Sequence, residues 1–338
     1  MILILTSQYD YSTNCVIKWL NYYGKKFLRI NGDDGAYKFY QLTSGGVYFK
    51  NIASGEIVNL SEAKACWWRR PGINQQTIAK KGPTGKLIFN GVDISPFLRG
   101  EKSIVSSESA DLAEYICGRI YSDCPVNLGR PKYNLNKLQV MDIAKNAGLK
   151  TPDYQVITEP DHIGELNNTY PKTVSKAISN GVYNILGNQR YYSYTELIEK
   201  DFITPGCKTG FFPSLIMQLI EKRAEVRTFY IEGIFFSMLI RSQSTEQTSI
   251  DFRKYNSETP NRNEPFKLPV EIENKLTHIF SELDLNCGSA DLIIDKEGDY
   301  IFLEINPVGQ YSMVSEPCNY ELDKLIANFL INGSTTTN

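Results

Sequence analysis

The sequence has few of the residues that build zinc sites, nucleic-acid surfaces and membrane spans. It contains two histidines and seven cysteines, and no two cysteines form a C-x-x-C pair, so zinc is not indicated. Lysine plus arginine (36) nearly equals aspartate plus glutamate (38), without a long block of one sign, which disfavours nucleic acid as a partner. No apolar run approaches the roughly 20 residues of a membrane helix. We therefore expect a cytoplasmic protein with reduced thiols, without nucleic-acid or membrane partners.

A chain of 338 residues is too long for one small core, so two or three packed units are expected. The opening MILILTS is too short for a signal sequence and predicts a buried first strand. Residues 2–6, a helix capped by Ser12 or Thr13 and ended by Gly24, and the strand KFLRI (26–30) make a strand-helix-strand unit, which favours a parallel sheet. Its first turn lacks G-x-G-x-x-G, so a dinucleotide site is not indicated.

WWRRPG (67–72) places two arginines, Arg69 and Arg70, beside two tryptophans. We favour stacking of arginine on tryptophan at a strand end. Binding of an anion is the alternative.

The second half changes from helix-strand alternation to a series of strands. CPVNLGRP (124–131) is loop-like, and a helix is predicted over 134–147. Six apolar segments then follow one another, which predicts an antiparallel α+β region behind the α/β front domain. They are TVSKAIS, SLIMQLI, RTFYI, IFFSMLI, SADLIID and DYIFLEIN. We expect domains at 1–125, 126–216 and 217–332, with a frayed tail at 333–338.

The last two of these segments predict a hairpin with carboxylates on one face. With a loop at 296–299, Asp295 pairs with Tyr300 and Asp291 pairs with Glu304, and Asn306 shares their face. Like charges opposite each other need a cation, and hard oxygen ligands suit Mg²⁺. A register slip of one residue is the alternative, since it would separate the acids. The opposite face would be an apolar core layer of Leu292, Ile294, Ile301, Leu303 and Ile305.

Two lysines are candidates for neutralising phosphate charge near such a metal ion. Lys176 lies in an apolar strand before the turn 179–181, whose backbone amides could approach a phosphate. Lys137 lies at the start of a helix, where a positive charge is unfavourable unless an anion is present. Taken singly, each lysine is more often a solvated side chain.

MQLIEKRAEVR (217–227) runs from an apolar strand into a polar turn. A purine could lie against Met217, Leu219 and Ile220, with Glu221 or Glu225 near the ribose. A plain hairpin entrance is the alternative.

Two arginines farther along lie where an acidic partner or a ligand is expected. Arg227 lies in a strand whose neighbours suggest burial, and a buried arginine requires an anion. In SIDFRKYN, Asp251 and Arg253 lie on one side of an extended segment, as an intramolecular pair or facing a ligand.

Taken in order, these elements resemble an ATP-grasp ligase over nearly the whole chain. The carrying motifs are NKLQVMDIAKNAGLKTP, TVSKAISNG, MQLIEKRAEVR and DLIID…FLEIN. Within that superfamily, MILILTSQYDYSTNCVIKWL, WWRRPG, IDFR and FLEINPVGQY are most similar to the grasp-with-spasm peptide maturases. These enzymes make graspetides, which are ω-ester peptides of the microviridin kind. One departure is Ala177, where many members have proline.

The resemblance implies a fold, an activity and a set of residue roles. The fold would be an ATP-grasp fold, α/β plus α+β, with an N-terminal strand-helix-strand domain. The implied roles are ATP phosphate contacts for Lys137 and Lys176, nucleoside contacts for Gln218, Leu219, Ile220 and Glu225, Mg²⁺ ligation for Asp291, Glu304 and Asn306, and contact with the acceptor carboxylate for Arg227, Asp251 and Arg253.

The implied activity uses ATP and Mg²⁺ to activate Asp or Glu side chains of a ribosomal precursor peptide as acyl phosphates. Ester links to Ser or Thr, or amide links to Lys, then close the rings. Two alternatives remain: a ligase that adds a free amino acid to a protein or small carboxylate, and a non-catalytic, nucleotide-dependent peptide-binding protein. The sequence does not determine the peptide, the ring topology or the oligomeric state, and a homodimer is compatible with it.

Overall fold

The computed structural model describes residues 1–79, 86–95, 104–159, 162, 168–179, 183–186, 189–192, 195–198, 210–241 and 261–335. The chain forms two compact units. Unit 1 comprises Met1–Tyr133 and Glu321–Asn338, and unit 2 comprises Asn134–Tyr320. The predicted division into three domains stays a prediction.

Strands and helices are numbered along the chain. The described strands are β1 (Ile2–Thr6), β2 (Phe27–Asn31), β3 (Tyr37–Thr43), β4 (Gly46–Asn51), β5 (Ile57–Asn59), β6 (Ala65–Trp68), β7 (Ile88–Phe89), β8 (Val92–Asp93), β9 (Val126–Leu128), β10 (Tyr154–Ile157), β11 (Thr173–Lys176), β12 (Tyr183–Leu186), β13 (Gln189–Tyr192), β14 (Glu196–Ile198), β15 (Ser214–Gln218), β16 (Lys222–Ile231), β17 (Ile234–Arg241), β18 (Arg262–Phe266), β19 (Cys287–Asp295) and β20 (Tyr300–Asn306). The described helices are α1 (Tyr11–Tyr22), α2 (Gln75–Ile78), α3 (Ile104–Asp123), α4 (Lys137–Asn146), α5 (Val270–Glu282), α6 (Ser312–Cys318) and α7 (Leu322–Asn332).

Unit 1 is built on a parallel sheet of order β2-β1-β6-β9. Every residue of β1 is buried, as expected for a parallel strand covered on both faces. Leu3 and Leu5 belong to a core shared with α3 and β4. Helix α7 contacts α1, β6 and β9. The predicted strand-helix-strand unit with a parallel sheet is confirmed.

Two sequence predictions for unit 1 are wrong. The segment CPVNLGRP is not only loop, since its residues 126–128 form β9 beside β6. Helix α1 begins earlier than expected, so that Asp10 is its N-cap residue and Ser12 and Thr13 are buried within it. The Asp10 side chain does not cap the helix, because its carboxylate accepts hydrogen bonds from Arg69 and Thr6 instead.

The described strands of unit 2 form antiparallel sheets, which confirms the predicted α+β region. The two larger sheets have the orders β10-β15-β11-β14 and β18-β17-β16-β19-β20, and β12 pairs with β13 as a separate hairpin. Helices α4 and α5 share the main core with one face of the five-stranded sheet. Leu239 faces that core, whereas its neighbours Met238 and Ile240 pack on the opposite face with Val314 of α6, as the two-residue period of a strand requires.

The six cysteines in the described ranges form no disulfide. Among the residues that the structure describes, no helix is long and apolar enough to cross a membrane.

Candidate active site

The hairpin β19–β20 places Asp291 opposite Glu304, as the sequence predicts, but by a different register. Near the turn, Ile294 pairs with Tyr300 and Leu292 pairs with Phe302, so the predicted pairing of Asp295 with Tyr300 is wrong. A β-bulge follows, at which Leu303 has no partner residue on β19. The bulge shifts the register by one residue and restores the pair of acids.

The bulge also changes the core face of β20. Phe302 belongs to the main core and Tyr300 packs against it, together with Leu292, Ile294 and Ile305. The predicted places of Ile301 and Leu303 in this layer are therefore wrong. Ile301 pairs with Ile293 on the same face as the acids.

Four oxygen-bearing side chains share the opposite face of the hairpin. Asp291 pairs with Glu304, and one step farther along Ser289 pairs with Asn306. The Asn306 Oδ1 atom accepts a hydrogen bond from the Val308 backbone 3.0 Å away, which holds the amide at the end of the strand and leaves a second lone pair on the oxygen. The Ser289 hydroxyl is buried and makes no hydrogen bond to any described residue. The sequence prediction did not include Ser289.

Glu304 connects the predicted metal site to both predicted phosphate-binding lysines. The Lys176 Nζ atom, at the end of β11, donates a hydrogen bond to Glu304 Oε2 at 2.9 Å. The Lys137 Nζ atom lies 3.4 Å from the same oxygen and 3.4 Å from the Ala177 carbonyl oxygen. Asn136 caps α4 by accepting hydrogen bonds from two backbone amides, which fixes the position from which Lys137 extends. Two lysines thus converge on one carboxylate.

Arg227 has the acidic partner that its burial requires. It lies opposite Asp291 in the pairing of β16 with β19, with Arg227 Nε 3.4 Å from Asp291 Oδ1. Its Nη1 atom lies 3.5 Å from the sulfur of Met313, in α6. The predictions Asp251 and Arg253 lie outside the described residues.

The predicted nucleoside-binding segment lies between β15 and β16. The Leu219 backbone amide donates a hydrogen bond to the Lys172 carbonyl oxygen at 3.1 Å. The Gln218 backbone amide donates to the Asp153 backbone carbonyl oxygen at 2.8 Å. These bonds hold the segment against neighbouring loops and strands of unit 2. Whether it binds a nucleoside stays a prediction.

Glu225 is buried and paired with a lysine that sequence reasoning missed. The Lys222 Nζ atom donates to Glu225 Oε1 at 2.6 Å, and both residues are buried. Lys222 lies at a second bulge, where the register of β16 against β19 shifts. A buried carboxylate and ammonium stabilise each other's charged forms. The available signal was the lysine three residues before Glu225, in a segment that was expected to be a polar turn but lies within β16.

The oxygen-bearing face suits a hard cation. In the described ranges, no group of three or more His, Cys, Asp or Glu side chains has a metal-binding arrangement. A metal ion here would therefore rest on Asp291, Glu304 and the Asn306 amide, with water and phosphate oxygens as its other ligands. This is the way Mg²⁺ is usually held beside a nucleotide.

Comparisons with known proteins show the fold. No family model and no curated protein matches the chain. Macrocyclase MdnC from Microcystis aeruginosa, solved with its precursor peptide MdnA, is 23% identical with a TM-score of 0.72, over 99% of this chain and 100% of that chain. A RiPP-associated ATP-grasp ligase from Chryseobacterium gregarium, solved with ADP and a leader and core peptide, is 20% identical with a TM-score of 0.77, over 98% and 97%.

A third solved structure is that of the ATP-grasp ligase PsnB with a phosphomimetic variant of a minimal precursor, Mg and ADP. It is 16% identical with a TM-score of 0.72, over 99% of this chain and 98% of that chain. Similarity over almost the full length of each chain shows that this protein has the ATP-grasp fold. The fold predicted from the sequence is confirmed.

Proposed function

We propose that this protein is an ATP-dependent carboxylate ligase that closes macrocyclic links in a ribosomally made precursor peptide. The observation that carries the proposal is the contact of Lys137 and Lys176 with Glu304, beside Asp291 on the same sheet face. Lysines near a carboxylate pair are the groups that phosphoryl transfer from ATP requires. The ATP-grasp fold, and the precursor peptides solved with similar proteins, support a peptide as the second substrate.

An exchange of partners would prepare the site for ATP. Without ATP, Lys137 and Lys176 share the carboxylate of Glu304 as a partner of opposite charge. When ATP binds, its phosphate oxygens become the partners of Lys137 and Lys176, and Glu304 becomes available to a metal ion. Each charged group then keeps a partner of opposite sign, which matters because an unpaired charge in a partly buried site is costly.

Asp291, Glu304 and Asn306 would hold Mg²⁺, which fits their oxygen donors. When bound, Mg²⁺ would neutralise phosphate charge and so assist transfer of the γ-phosphoryl group. This chain's own groups act beside it. The two lysines would hold the phosphates in line, while Gln218, Leu219, Ile220 and Glu225 would hold the nucleoside, with Lys222 fixing the carboxylate of Glu225.

The reaction would proceed in two transfers. An Asp or Glu carboxylate of the peptide attacks the γ-phosphorus of ATP, so that an acyl phosphate forms and ADP leaves. A Ser or Thr hydroxyl, or a Lys amine, of the same peptide then attacks the acyl carbon, loses its proton and displaces phosphate. Positioning and charge neutralisation supply the catalysis, and no covalent bond to the protein is needed. Arg227, together with Asp251 and Arg253, would orient the acceptor carboxylate.

The test is co-expression with any short, acidic, Ser/Thr-rich peptide that a neighbouring reading frame encodes, followed by mass spectrometry. We expect the peptide to lose one water for each bond formed, with ADP released in step. A gain of an amino-acid residue mass would show conjugation instead. No ADP release with any acidic peptide would indicate a binding protein and would contradict the proposal.

A further inference from the structure

A second charged cluster lies in unit 1, at the edge of the parallel sheet where β1 and β6 end. In this sheet, β1 lies between β2 and β6. The chain passes from β1 through α1 to β2 on one side of β1, and it later returns to form β6 on the other side. The direction of the connections therefore changes between β1 and β6. In open α/β sheets, ligands bind in the crevice outside the carboxyl ends of the strands at such a point.

Asp10 and Arg69 form the buried floor of this edge. The Arg69 Nε atom donates to Asp10 Oδ2 at 2.7 Å, and Arg69 Nη2 lies 3.5 Å from Oδ1. Both side chains are almost inaccessible to solvent. Arg69 also lies 5.9 Å from the centre of the Trp67 ring, which fits the favoured stacking interpretation. The positive charge of Arg69 and the negative charge of Asp10 balance each other within this ion pair.

Arg70 adds a second positive charge to the same acid. Its Nε atom lies 3.7 Å from Asp10 Oδ2, and its side chain is 34% exposed. Asp10 therefore faces two guanidinium groups, and the cluster of three has a net charge of about +1. Partial burial and the neighbouring Arg69 charge lower the pKa of Arg70, so an anion that reaches Arg70 would relieve an unfavourable arrangement.

The rim of the cluster is held by hydrogen bonds before any ligand arrives. The Arg29 Nη2 atom donates to the Ser7 and Gln8 carbonyl oxygens at 2.8 and 3.1 Å. The Gln8 backbone amide donates a hydrogen bond to Asp33 Oδ1 at 2.8 Å. The Arg70 backbone amide donates to the Leu5 carbonyl oxygen in β1 at 2.9 Å. A site whose backbone is already fixed loses little entropy when it binds.

Two exposed tyrosines flank Asp10 in the sequence. Tyr9 is 87% exposed and Tyr11 is 61% exposed. Tyrosine and arginine are the residues most enriched where proteins bind other chains. This composition favours a peptide over a small free anion.

We infer that Arg70, with Arg69 and Asp10 behind it, binds a carboxylate of an acidic peptide at this edge of unit 1. The planar guanidinium matches a carboxylate with two parallel hydrogen bonds. The inference rests on the proposed function, since it gives the acidic substrate peptide a contact in unit 1. It uses none of the residues proposed to bind ATP.

The test compares the variant Arg70→Gln with the control Arg119→Gln, which changes a half-buried arginine of unit 1 that is paired with Asp123. The probes are a labelled acetyl-Thr-Glu-Thr-Glu-amide and its glutamine counterpart, measured by fluorescence anisotropy, with Mg·ADP affinity measured in parallel. We expect wild type to prefer the glutamate peptide. Arg70→Gln should weaken its binding by about tenfold, the loss of one charge-assisted pair. The Arg119→Gln variant should bind the glutamate peptide with an affinity within about twofold of wild type. The Mg·ADP affinity of both variants should also change by less than about twofold.

An NMR titration of the arginine Nε–Hε groups in the wild-type protein gives evidence that does not depend on any variant folding. The glutamate peptide should shift the Arg70 signal to saturation and leave Arg119 unchanged. Equal binding of the two peptides, or an Arg70 signal that does not respond, would overturn the inference. Inorganic phosphate that competes as well as the peptide would overturn the assignment of a carboxylate. Failure to bind Mg·ADP would count against the proposed function alone.

Discussion

The Lys176 Nζ atom donates a hydrogen bond to Glu304 Oε2 at 2.9 Å, although 128 positions separate the two residues. Lys137 reaches the same oxygen from the start of α4, at 3.4 Å. Each group was predicted from a different local pattern, and the fold of unit 2 brings the three together. The carboxylate shared by both lysines is therefore the first place to test the proposed chemistry.

Replacing Glu304 with glutamine should reduce ring closure by about 10²–10³-fold, the scale seen when one group that stabilises transition-state charge is lost. The neutral amide keeps the shape but attracts the lysines and a cation much less strongly than a carboxylate does. Mass spectrometry of the peptide measures the extent of ring closure, and repeating it over a range of Mg²⁺ concentrations shows how ring closure depends on the metal ion. The matched control is Glu282→Gln, at an exposed position of α5, which should keep full activity. Full activity of Glu304→Gln would contradict the proposed site.

Replacing Lys176 with methionine should impair catalysis more than replacing Lys137, because Lys176 makes the shorter contact with Glu304. Both variants should weaken ATP binding, seen as a higher KM for ATP. Since the lysines share one partner, the double variant should lose less than the sum of the two single losses. Steady-state kinetics of ADP release give the comparison, with the exposed Lys267→Met as control. Strict additivity would argue against a shared partner.

Replacing Asp10 with asparagine should destabilise the protein by about 3–5 kcal/mol at neutral pH, because the buried Arg69 would lose the carboxylate that it is paired with. Burial opposes ionisation of Asp10, but the Arg69 and Arg70 guanidinium groups and the hydrogen bonds from Arg69 and Thr6 together outweigh it and hold the pKa of the carboxyl below its ordinary value of 3.8. The stabilisation is thus complete above pH 3.8 and is lost as the pH falls through the lower folded-state pKa.

Urea unfolding at neutral pH and in acid measures this dependence. The gap between wild type and Asp10→Asn should narrow in acid. The exposed control Asp123→Asn should cost less than about 1 kcal/mol at either pH. A gap that stays constant with pH would show that the charge of Asp10 does not stabilise the fold.

Replacing Gly288 with alanine should disturb the end of the site through the backbone. A Cβ atom there would lie 2.9 Å from the Phe280 ring and 3.0 Å from the Asn306 carbonyl oxygen, so we expect a cost of about 1–3 kcal/mol and lower ligase activity. In contrast, Gly118→Ala in α3 meets nothing within 4 Å and should stabilise the helix by about 0.5–1 kcal/mol. Thermal unfolding and ring closure, measured on both variants, separate the two cases. An active, fully stable Gly288→Ala would be a contrary result.

The sequence by itself determined the order and type of the main elements. A series of apolar segments marked the strands of unit 2, and the apolar run ILILT marked the buried first strand of unit 1, because such patterns report which side chains are covered. The ordered motifs were enough to predict an ATP-grasp fold. The sequence also identified Lys137, Lys176, Asp291 and Glu304 as candidates, since oxygen-bearing and basic side chains in apolar segments need a reason.

Only the tertiary structure decided how those candidates meet. The bulge at Leu303 depends on how β20 packs against its neighbours, and local alternation contains no signal for a single extra residue. Strand β9 lies within a stretch rich in loop residues and forms because β6 offers it an edge to pair with. The pairs Lys222–Glu225 and Lys176–Glu304 depend on side chains being withdrawn from water together, where a charge must find a partner. Packing and desolvation depend on elements that are distant in sequence, even for a pair three residues apart such as Lys222 and Glu225, and for that reason they became visible only in the fold.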